Sequence, residues 1–319
     1  MKYELKQRPE HFEVVEKLGV DVKERGEYLV LKVTKKDYNT EDAVQHLASK
    51  VGVQRRQFSY AGNKDKYAVT TQYVSVKNQD KERFQNVSLQ DIEVTAEGYA
   101  NRPISLGVLE GNRFKIYAEG PSANDVQDID EFTNYFDSQR FSENNHVIGK
   151  HLVTDQYKEA AEILLEDQQH RRRILPHLKQ RPNDYISAIR KLPDSLLKFY
   201  VHAYQSKIWN ACVQRIEDQS IETFPLIGFG TKLTREQKLV ARPILRSEGV
   251  KPRTFIVRSI PDISAEGTQR NVKEQIKELE INGGDAGVWL SFTLGRGSYA
   301  TMAVKHLLGE GRQIGRASC

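Results

Sequence analysis

The chain carries the segment Tyr60-Ala61-Gly62-Asn63-Lys64-Asp65-Lys66-Tyr67-Ala68-Val69-Thr70-Thr71-Gln72. In it an aspartate, Asp65, lies between two lysines on a glycine-containing loop, directly before a β-branched run. Nearby cations favour the ionised form of a carboxylate, and a carboxylate held in that form can act as a nucleophile or a base. The alternative is an exposed β-turn made of ordinary turn residues, and composition alone favours that alternative.

The residues on both sides of this loop predict β-structure. Residues 28–33 and 70–76 are short apolar or alternating runs rich in β-branched residues, which is typical of strands. Thr40 is a candidate N-cap for a helix through Ala48 that ends at Gly52. The dipeptide Gly111-Asn112 between two further strand-like runs, residues 104–109 and 113–117, predicts a hairpin turn. We therefore expect the first 120 residues to consist mostly of strands and tight turns.

The middle of the chain changes to helical spacing, and its end returns to the pattern of the beginning. Apolar residues recur three and four apart in two stretches, after which short segments interrupted by Gly and Pro follow. A polar helix, a strand and a final helix with Ser298 as a candidate cap complete the chain. The predicted segments are helices at 157–165 and 196–204, short segments at 225–261, a helix at 270–279, a strand at 287–292 and a helix ending near Leu307.

Composition and length exclude several classes of protein. With 319 residues, of which 38% are apolar, the chain suits two ordinary domains or one domain with a large insertion. No apolar run reaches the roughly 18 residues of a membrane span, and the N-terminus shows no apolar signal region. The only cysteines are Cys212 and Cys319, and the eight histidines are scattered without metal-ligand spacing. We expect a cytoplasmic protein with no metal and no cofactor.

The positive charge is concentrated in one part of the chain. The net charge is +5, but residues 146–270 hold 21 Lys and Arg against 14 Asp and Glu. Basic residues mixed with aromatic ones suit a phosphate backbone, although a solvated helical surface is the common alternative. This distribution predicts a basic domain, residues 146–270, inserted into a split domain made of residues 1–145 and 271–319. We expect residues 311–319, which have no apolar pattern, to form a mobile tail.

The Asp65 loop closely resembles the signature of the TruD family of pseudouridine synthases, in which a G-x-K-D-K/R segment is followed by A/G-V-T-x-Q. Six further segments resemble the family in the same order, from residue 9 to about residue 302. They are Pro9 to Glu16, Tyr38-Asn39-Thr40, Gly111-Asn112-Arg113-Phe114, Asn134 to Phe141, Ala203-Tyr204-Gln205-Ser206 with Trp209-Asn210, and Gly297 to Met302. The departures are His11, Val15 and Asp137, which stand where the family has other residue types.

This resemblance implies a fold, an activity and a set of site residues. The implied fold is α+β, with a pseudouridine-synthase catalytic domain built on a mixed, mainly antiparallel sheet and an inserted α/β TRUD-type domain. The implied activity is isomerisation of uridine 13 in the D arm of tRNA, with Asp65 as the catalytic residue. The resemblance also implies roles in substrate binding for Lys64, Asn112, Phe114 and Glu16. Positive charge, and not the resemblance, makes Lys66, Arg171, Arg172 and Arg173 the candidates for RNA contacts.

Several alternatives remain open from the sequence. Asp65 can attack C1′ of the ribose or remove a ribose proton. Asn112 can hold the Asp65 loop, Phe114 can be the surface on which the flipped uracil stacks, and Tyr299 and Thr301 can line the cleft or belong to the core. The protein can also be an RNA chaperone with little catalysis, a synthase for another RNA, or a different carboxylate enzyme acting on nucleic acid. For its partners we expect tRNA and no membrane. The sequence leaves the oligomeric state open, with a monomer favoured.

Overall fold

The structure is a computed structural model that describes residues 3–216 and 221–310. The predicted mobile tail, residues 311–319, lies outside the described residues. The chain forms two compact units, of which unit 1 comprises residues 3–132 and 274–310 and unit 2 comprises residues 133–273 apart from the undescribed 217–220. The chain passes from unit 1 to unit 2 after Phe132 and returns to unit 1 after Lys273. The domain boundaries expected from the charge distribution are 145/146 and 270/271.

The first and last parts of the chain are mostly strands, and the middle part is mostly helices. The elements of the first part are β1 (Glu4–Leu5), β2 (Phe12–Leu18), β3 (Tyr28–Lys36), α1 (Thr40–Val51), β4 (Phe58–Tyr60), β5 (Val69–Lys77), β6 (Ile92–Ala100), β7 (Leu109–Glu119) and β8 (Glu131–Thr133), which spans the first boundary between the units. The next are α2 (Asn145–Val153), α3 (Tyr157–Leu164), α4 (Gln168–Gln180), α5 (Tyr185–Ile189), α6 (Asp194–Val213), β9 (Thr223–Leu226), α7 (Arg235–Glu248) and β10 (Thr268–Asn271). The last are β11 (Lys273–Gln275), β12 (Lys277–Gly283), β13 (Gly287–Gly295) and α8 (Ala300–Leu307).

Unit 1 is built on one mixed sheet. In its described part the strands run in the order β12-β13-β7-β2-β5-β3-β6, with β1 paired to β7 and β4 paired to β5. The pairing of β2 with β5 is parallel, and the other pairings of this sheet are antiparallel. The prediction of a mixed, mainly antiparallel sheet is therefore confirmed. In this sheet the strand that follows the Asp65 loop, β5, is an interior strand between β2 and β3.

Helix α1 covers one face of this sheet with its apolar side. Leu47 and its neighbours pack against Leu31 and Val74 in a buried cluster. The helix begins after Asn39, whose side-chain oxygen accepts a hydrogen bond from the Asp42 amide at 2.8 Å. It ends at Gly52, whose φ of 66° is the left-handed conformation that glycine adopts without strain. The N-cap is thus Asn39 and not Thr40, whose hydroxyl is used elsewhere.

The predicted hairpin at Gly111-Asn112 is wrong. Both residues lie inside strand β7, which continues without a turn from Leu109 to Glu119. A Cβ atom on Gly111 would lie 2.2 Å from the carbonyl oxygen of Leu294 on β13. Glycine is therefore needed at position 111 because the backbones of β7 and β13 approach closely there. In turns glycine is common for another reason, its ability to adopt a positive φ.

Three further expectations about local structure are corrected. The polar helix predicted at 270–279 is replaced by strands β10, β11 and β12, because pairing of β12 with β13 outweighs the helix propensity of a charged segment. The segment 225–261 contains the 14-residue helix α7, which starts with a capping box formed by Thr234 and Gln237. Helix α8 is preceded by Tyr299 and not by Ser298. The helices predicted near 157–165 and 196–204 are confirmed as α3 and α6.

Unit 2 is organised around the long helix α6. Its buried side chains include Trp209, whose indole N–H donates to the Phe224 carbonyl at 2.8 Å. Cys212 is fully buried on the same helix, as expected for a core residue. In the part of the chain that the structure describes, no helix has the length and apolar character needed to cross a membrane.

Candidate active site

The strand register brings distant residues into two rows on one face of the unit 1 sheet. Lys35 on β3 lies opposite Thr70 on β5, and Thr70 lies opposite Val14 on β2, which in turn lies opposite Phe114 on β7. One step along, Glu16 lies opposite Asn112. Because paired residues of neighbouring strands point to the same face, these side chains share the face that α1 partly covers.

Asp65 lies above these rows on the loop between β4 and β5. About half of its side chain, 55%, is exposed. Its carboxylate pairs with the ammonium of Lys6, and the same ammonium lies 4.0 Å from the centre of the Phe12 ring. The carboxylate is thus accessible and lies beside the Lys6 cation.

The backbone of the Asp65 loop is held at two successive residues. The amide of Lys64 donates to the Thr40 hydroxyl at 2.9 Å, and that hydroxyl donates to the Gln72 side-chain oxygen at 2.7 Å. The carbonyl of Asp65 accepts a hydrogen bond from Lys35 Nζ at 3.1 Å. Lys35 is buried, and that burial lowers its pKa to about 8, an effect that Asp65 opposes and Lys64 reinforces.

Lys64 contacts Glu16 and not Asp65. Its ammonium pairs with the Glu16 carboxylate, whose side chain is fully buried and whose second oxygen accepts the Tyr73 amide at 2.8 Å. Burial raises the pKa of Glu16, while Lys64 and the Tyr73 amide lower it. The expectation that the two flanking lysines are the charge partners of Asp65 is therefore corrected. Lys64 pairs with Glu16, Lys66 is exposed, and the cation that pairs with the Asp65 carboxylate is Lys6.

Asn112 and Phe114 lie on the same face of the sheet, but neither has its expected role in this structure. The Asn112 side-chain oxygen is buried with no hydrogen-bond partner, so its amide does not hold the Asp65 loop here. The Phe114 ring is 6% exposed and packs edge-on against Phe12 and at a tilt against Phe292. In this structure Phe114 is therefore part of the core, adjacent to the ring under Lys6.

Several buried polar atoms in unit 1 lack a partner. They belong to Thr70 and Gln72 on β5, Asn112 on β7 and Ser298 after β13, and the atoms are Thr70 Oγ1, Gln72 Nε2, Asn112 Oδ1 and Ser298 Oγ. A buried polar atom without a protein partner has to bond water or a ligand, so these atoms are candidate contacts for a substrate. Tyr299 and Thr301 are half-buried where α8 begins.

Unit 2 exposes two sets of cations. Arg171, Arg172 and Arg173 are all exposed on α4, but three consecutive residues spread over more than half of the helix circumference. Helix α7 instead places cations at intervals of three and four residues, on a single face beside the 72% exposed Leu239. These α7 cations are Arg235, Lys238, Arg242 and Arg246, which we call the α7 stripe; all are exposed and, among the described residues, none forms a salt bridge.

Other motif residues have structural roles in unit 2. The Asn210 side chain bonds both the amide and the carbonyl of Phe136, each at 2.9 Å. Asp137 accepts the Ser138 amide at 2.6 Å at the start of a short helix. Across the described residues, no group of three or more His, Cys, Asp or Glu side chains is placed to hold a metal ion.

Comparison with known proteins decides the family. The model of the family described as tRNA pseudouridine synthase D (TruD) matches residues 1–172, 165–223 and 216–307. The chain belongs to the TruD family. A Methanopyrus kandleri protein named "Probable tRNA pseudouridine synthase D" is 30% identical over 90% of this chain and 86% of its own length. The "tRNA pseudouridine synthase D" of Aquifex aeolicus is 26% identical over 96% of this chain and 98% of its own.

A solved TruD structure agrees with the fold. The protein from Methanosarcina mazei has a TM-score of 0.72 and 25% identity, over 99% of this chain and 95% of that chain. The expected TruD family and pseudouridine-synthase fold are therefore confirmed. Two residues at the site, Lys6 and Lys35, were missed by the sequence analysis. The signal available for Lys35 was its position in the alternation of β3, where it continues the buried, apolar side of Leu29, Leu31 and Val33.

Proposed function

We propose that this protein is a tRNA pseudouridine synthase that converts uridine 13 of the D arm. The observation that carries the proposal is the half-exposed Asp65 carboxylate, which lies beside Lys6 on a loop whose backbone is fixed at Lys64 and Asp65. That loop falls within the first segment matched by the TruD family model. Site specificity for uridine 13 follows from the resemblance to the family and from nothing in the geometry.

The reaction breaks the C1′–N1 bond of uridine, turns the uracil and joins C1′ to C5. N1 gains a proton and C5 loses one, so the product is an isomer of the substrate. Asp65 serves in one of two ways, by attack on C1′ or by removal of a ribose proton. Both roles use the carboxylate form of Asp65, which in this structure is half-exposed and pairs with the Lys6 ammonium.

The target base has to leave its stack to reach Asp65. We propose that the uracil binds over the face formed by Phe114, with Asn112 and Glu16 beside it in the next row. Stacking on an aromatic ring contributes about 1–3 kcal/mol per base. Because Phe12 and Phe292 pack against the buried Phe114 ring, stacking of the uracil on Phe114 requires one of these neighbouring rings to move.

The proposed contacts to the tRNA backbone are cations that do not belong to the two rows of side chains on the sheet. We propose residues 146–270 as the RNA-binding insertion, with Arg171, Arg172 and Arg173 and the α7 stripe as phosphate contacts. Lys66 is exposed beside Asp65 and is the proposed contact to the phosphates that flank the target nucleotide. The proposal includes action as a monomer in the cytoplasm, where the tRNA substrate is found.

The test is to incubate the protein with unmodified tRNA and to map pseudouridine at every uridine. We expect modification at uridine 13 and none in a tRNA that carries cytidine there. Modification at another uridine would support the synthase activity and contradict the assignment of uridine 13. Tight binding with no pseudouridine at any position would instead favour the RNA chaperone.

A further inference from the structure

We propose that Lys35 is a positioning residue that fixes the Asp65 backbone for the reaction. This inference rests on the proposed function, since it assigns a role in that chemistry. Lys35 is 1% exposed, and its ammonium donates to the Asp65 carbonyl at 3.1 Å and to the Tyr38 carbonyl at 2.6 Å. It therefore ties the loop to the segment that enters α1.

The hydrogen-bond partners of Lys35 argue against a purely structural role for this residue. A buried ammonium loses its hydration, and a carboxylate partner normally offsets that cost. Here the two hydrogen-bond acceptors are main-chain carbonyls, and the nearest carboxylate influence comes from Asp65 itself. The buried Lys35 ammonium thus lowers the stability of the fold, and it contacts the backbone of Asp65, the proposed catalytic residue.

Lys35 and Thr40 act on adjacent groups of the same loop. Thr40 accepts the amide of Lys64, and Lys35 donates to the carbonyl of Asp65. With the main chain held on both sides, the Asp65 carboxylate moves by its side-chain torsions alone. Holding a reacting group in place supplies much of the rate of an enzyme, and a displacement of about 1 Å can cost about 100-fold.

The hydrogen bonds of Lys35 depend on its charge. Bonds from an ammonium are roughly twice as strong as those from a neutral amine, so loss of the proton loosens the loop. The charged groups around Lys35 are Asp65 and Lys64 on the loop, and Glu16 on β2 pairs with that Lys64. Tyr38, which gives the second carbonyl, is the other titratable residue in contact with it.

The test compares Lys35→Met with Lys36→Met under single-turnover conditions with saturating enzyme. Lys36 is the next residue of β3, its side chain is 41% exposed, and it pairs with Glu10. We expect Lys35→Met to lower the rate of pseudouridine formation by 10- to 100-fold while the Kd for tRNA changes less than about twofold. Lys36→Met should match the wild type in both. Equal rates for the two variants, or weaker tRNA binding with an intact rate, would overturn the proposal.

Two measurements keep the test decisive. The wild-type rate should fall as the pH rises through about 8, where Lys35 loses its proton, and a rate that stays constant to pH 9.5 would contradict the role. Hydrogen exchange of residues 61–68 should be at least about tenfold faster in Lys35→Met than in Lys36→Met, and equal exchange would contradict it without any reference to activity. A wild type that forms no pseudouridine refutes the proposed function instead.

Discussion

The ammonium of Lys64 pairs with the carboxylate of Glu16, a side chain that is fully buried on strand β2. The lysine next to Asp65 in sequence is therefore engaged with a different acid, 48 residues away. This pair fastens the loop to the centre of the sheet and leaves the Asp65 carboxylate to Lys6 and to substrate.

Replacement of Glu16 should destabilise the protein. Glu16→Gln leaves the Lys64 ammonium in a mostly buried place without its counter-charge, which costs about 3 kcal/mol in the free energy of unfolding. Urea denaturation measures the loss. The matched control is Glu13→Gln on the same strand, which breaks an exposed pair with Lys115 and should cost less than about 1 kcal/mol. Adding Lys64→Met to Glu16→Gln should restore part of the lost stability, and a purely additive double variant would show that the pair is not coupled.

Stability should also depend on pH through Lys35. Burial lowers the pKa of Lys35 in the folded protein to about 8, whereas the unfolded chain keeps its proton up to about pH 10.5. Between these values the unfolded state binds more protons, so stability rises with pH, by at most about 3 kcal/mol. Denaturation of wild type and Lys35→Met between pH 7 and 10 should diverge in this direction. Parallel curves would show that Lys35 titrates normally.

Asn112 should be more important for catalysis than for stability. Its buried, unpartnered side-chain oxygen costs free energy, so Asn112→Ala should leave the melting temperature unchanged or raise it. The same change should lower the single-turnover rate by about tenfold, the value of one hydrogen bond to substrate. Asn210→Ala is the control, because both amide atoms of Asn210 are bonded to Phe136 and its loss should destabilise unit 2. A lower melting temperature with an unchanged rate would make Asn112 structural.

The cations of unit 2 should be separable by the salt dependence of tRNA binding. Each lost phosphate contact lowers the slope of log K against log salt by about one. Arg235→Ala with Arg242→Ala should remove about two units, and Arg171→Ala with Arg172→Ala about one, because adjacent residues do not share a helix face. The control is Lys158→Ala, which removes an exposed cation one helical turn from Glu162 and should leave the slope unchanged. An unchanged slope for both pairs would place them on a solvated surface.

The sequence predicted those parts of the fold that depend on local patterns. Strands β3 and β5, helices α3 and α6 and the mixed sheet followed from periodicity or from family resemblance. The errors lay where long-range pairing decides, as at Gly111, which allows close approach of β13, and at β12, a polar segment made a strand by its neighbour.

The same limit applies to the site. Asp65, Lys64 and Glu16 could be named from motifs, but their pairing could not, because it depends on the register of β2 and β5. Lys35 lies 30 residues from Asp65 and Lys6 lies 59 residues away, so no local pattern connects either lysine to the loop. A buried lysine on the apolar side of a strand is the kind of local inconsistency that marks functional sites.

The central claim is that the Asp65 carboxylate performs the chemistry, and Asp65→Asn tests it most directly. The amide keeps the size of the side chain and removes its charge. With tRNA bound to saturation, wild type should convert its target uridine, whereas Asp65→Asn should bind tRNA with a Kd within about twofold and form no pseudouridine in a single turnover. Pseudouridine formation by Asp65→Asn at a rate near that of the wild type would contradict the account.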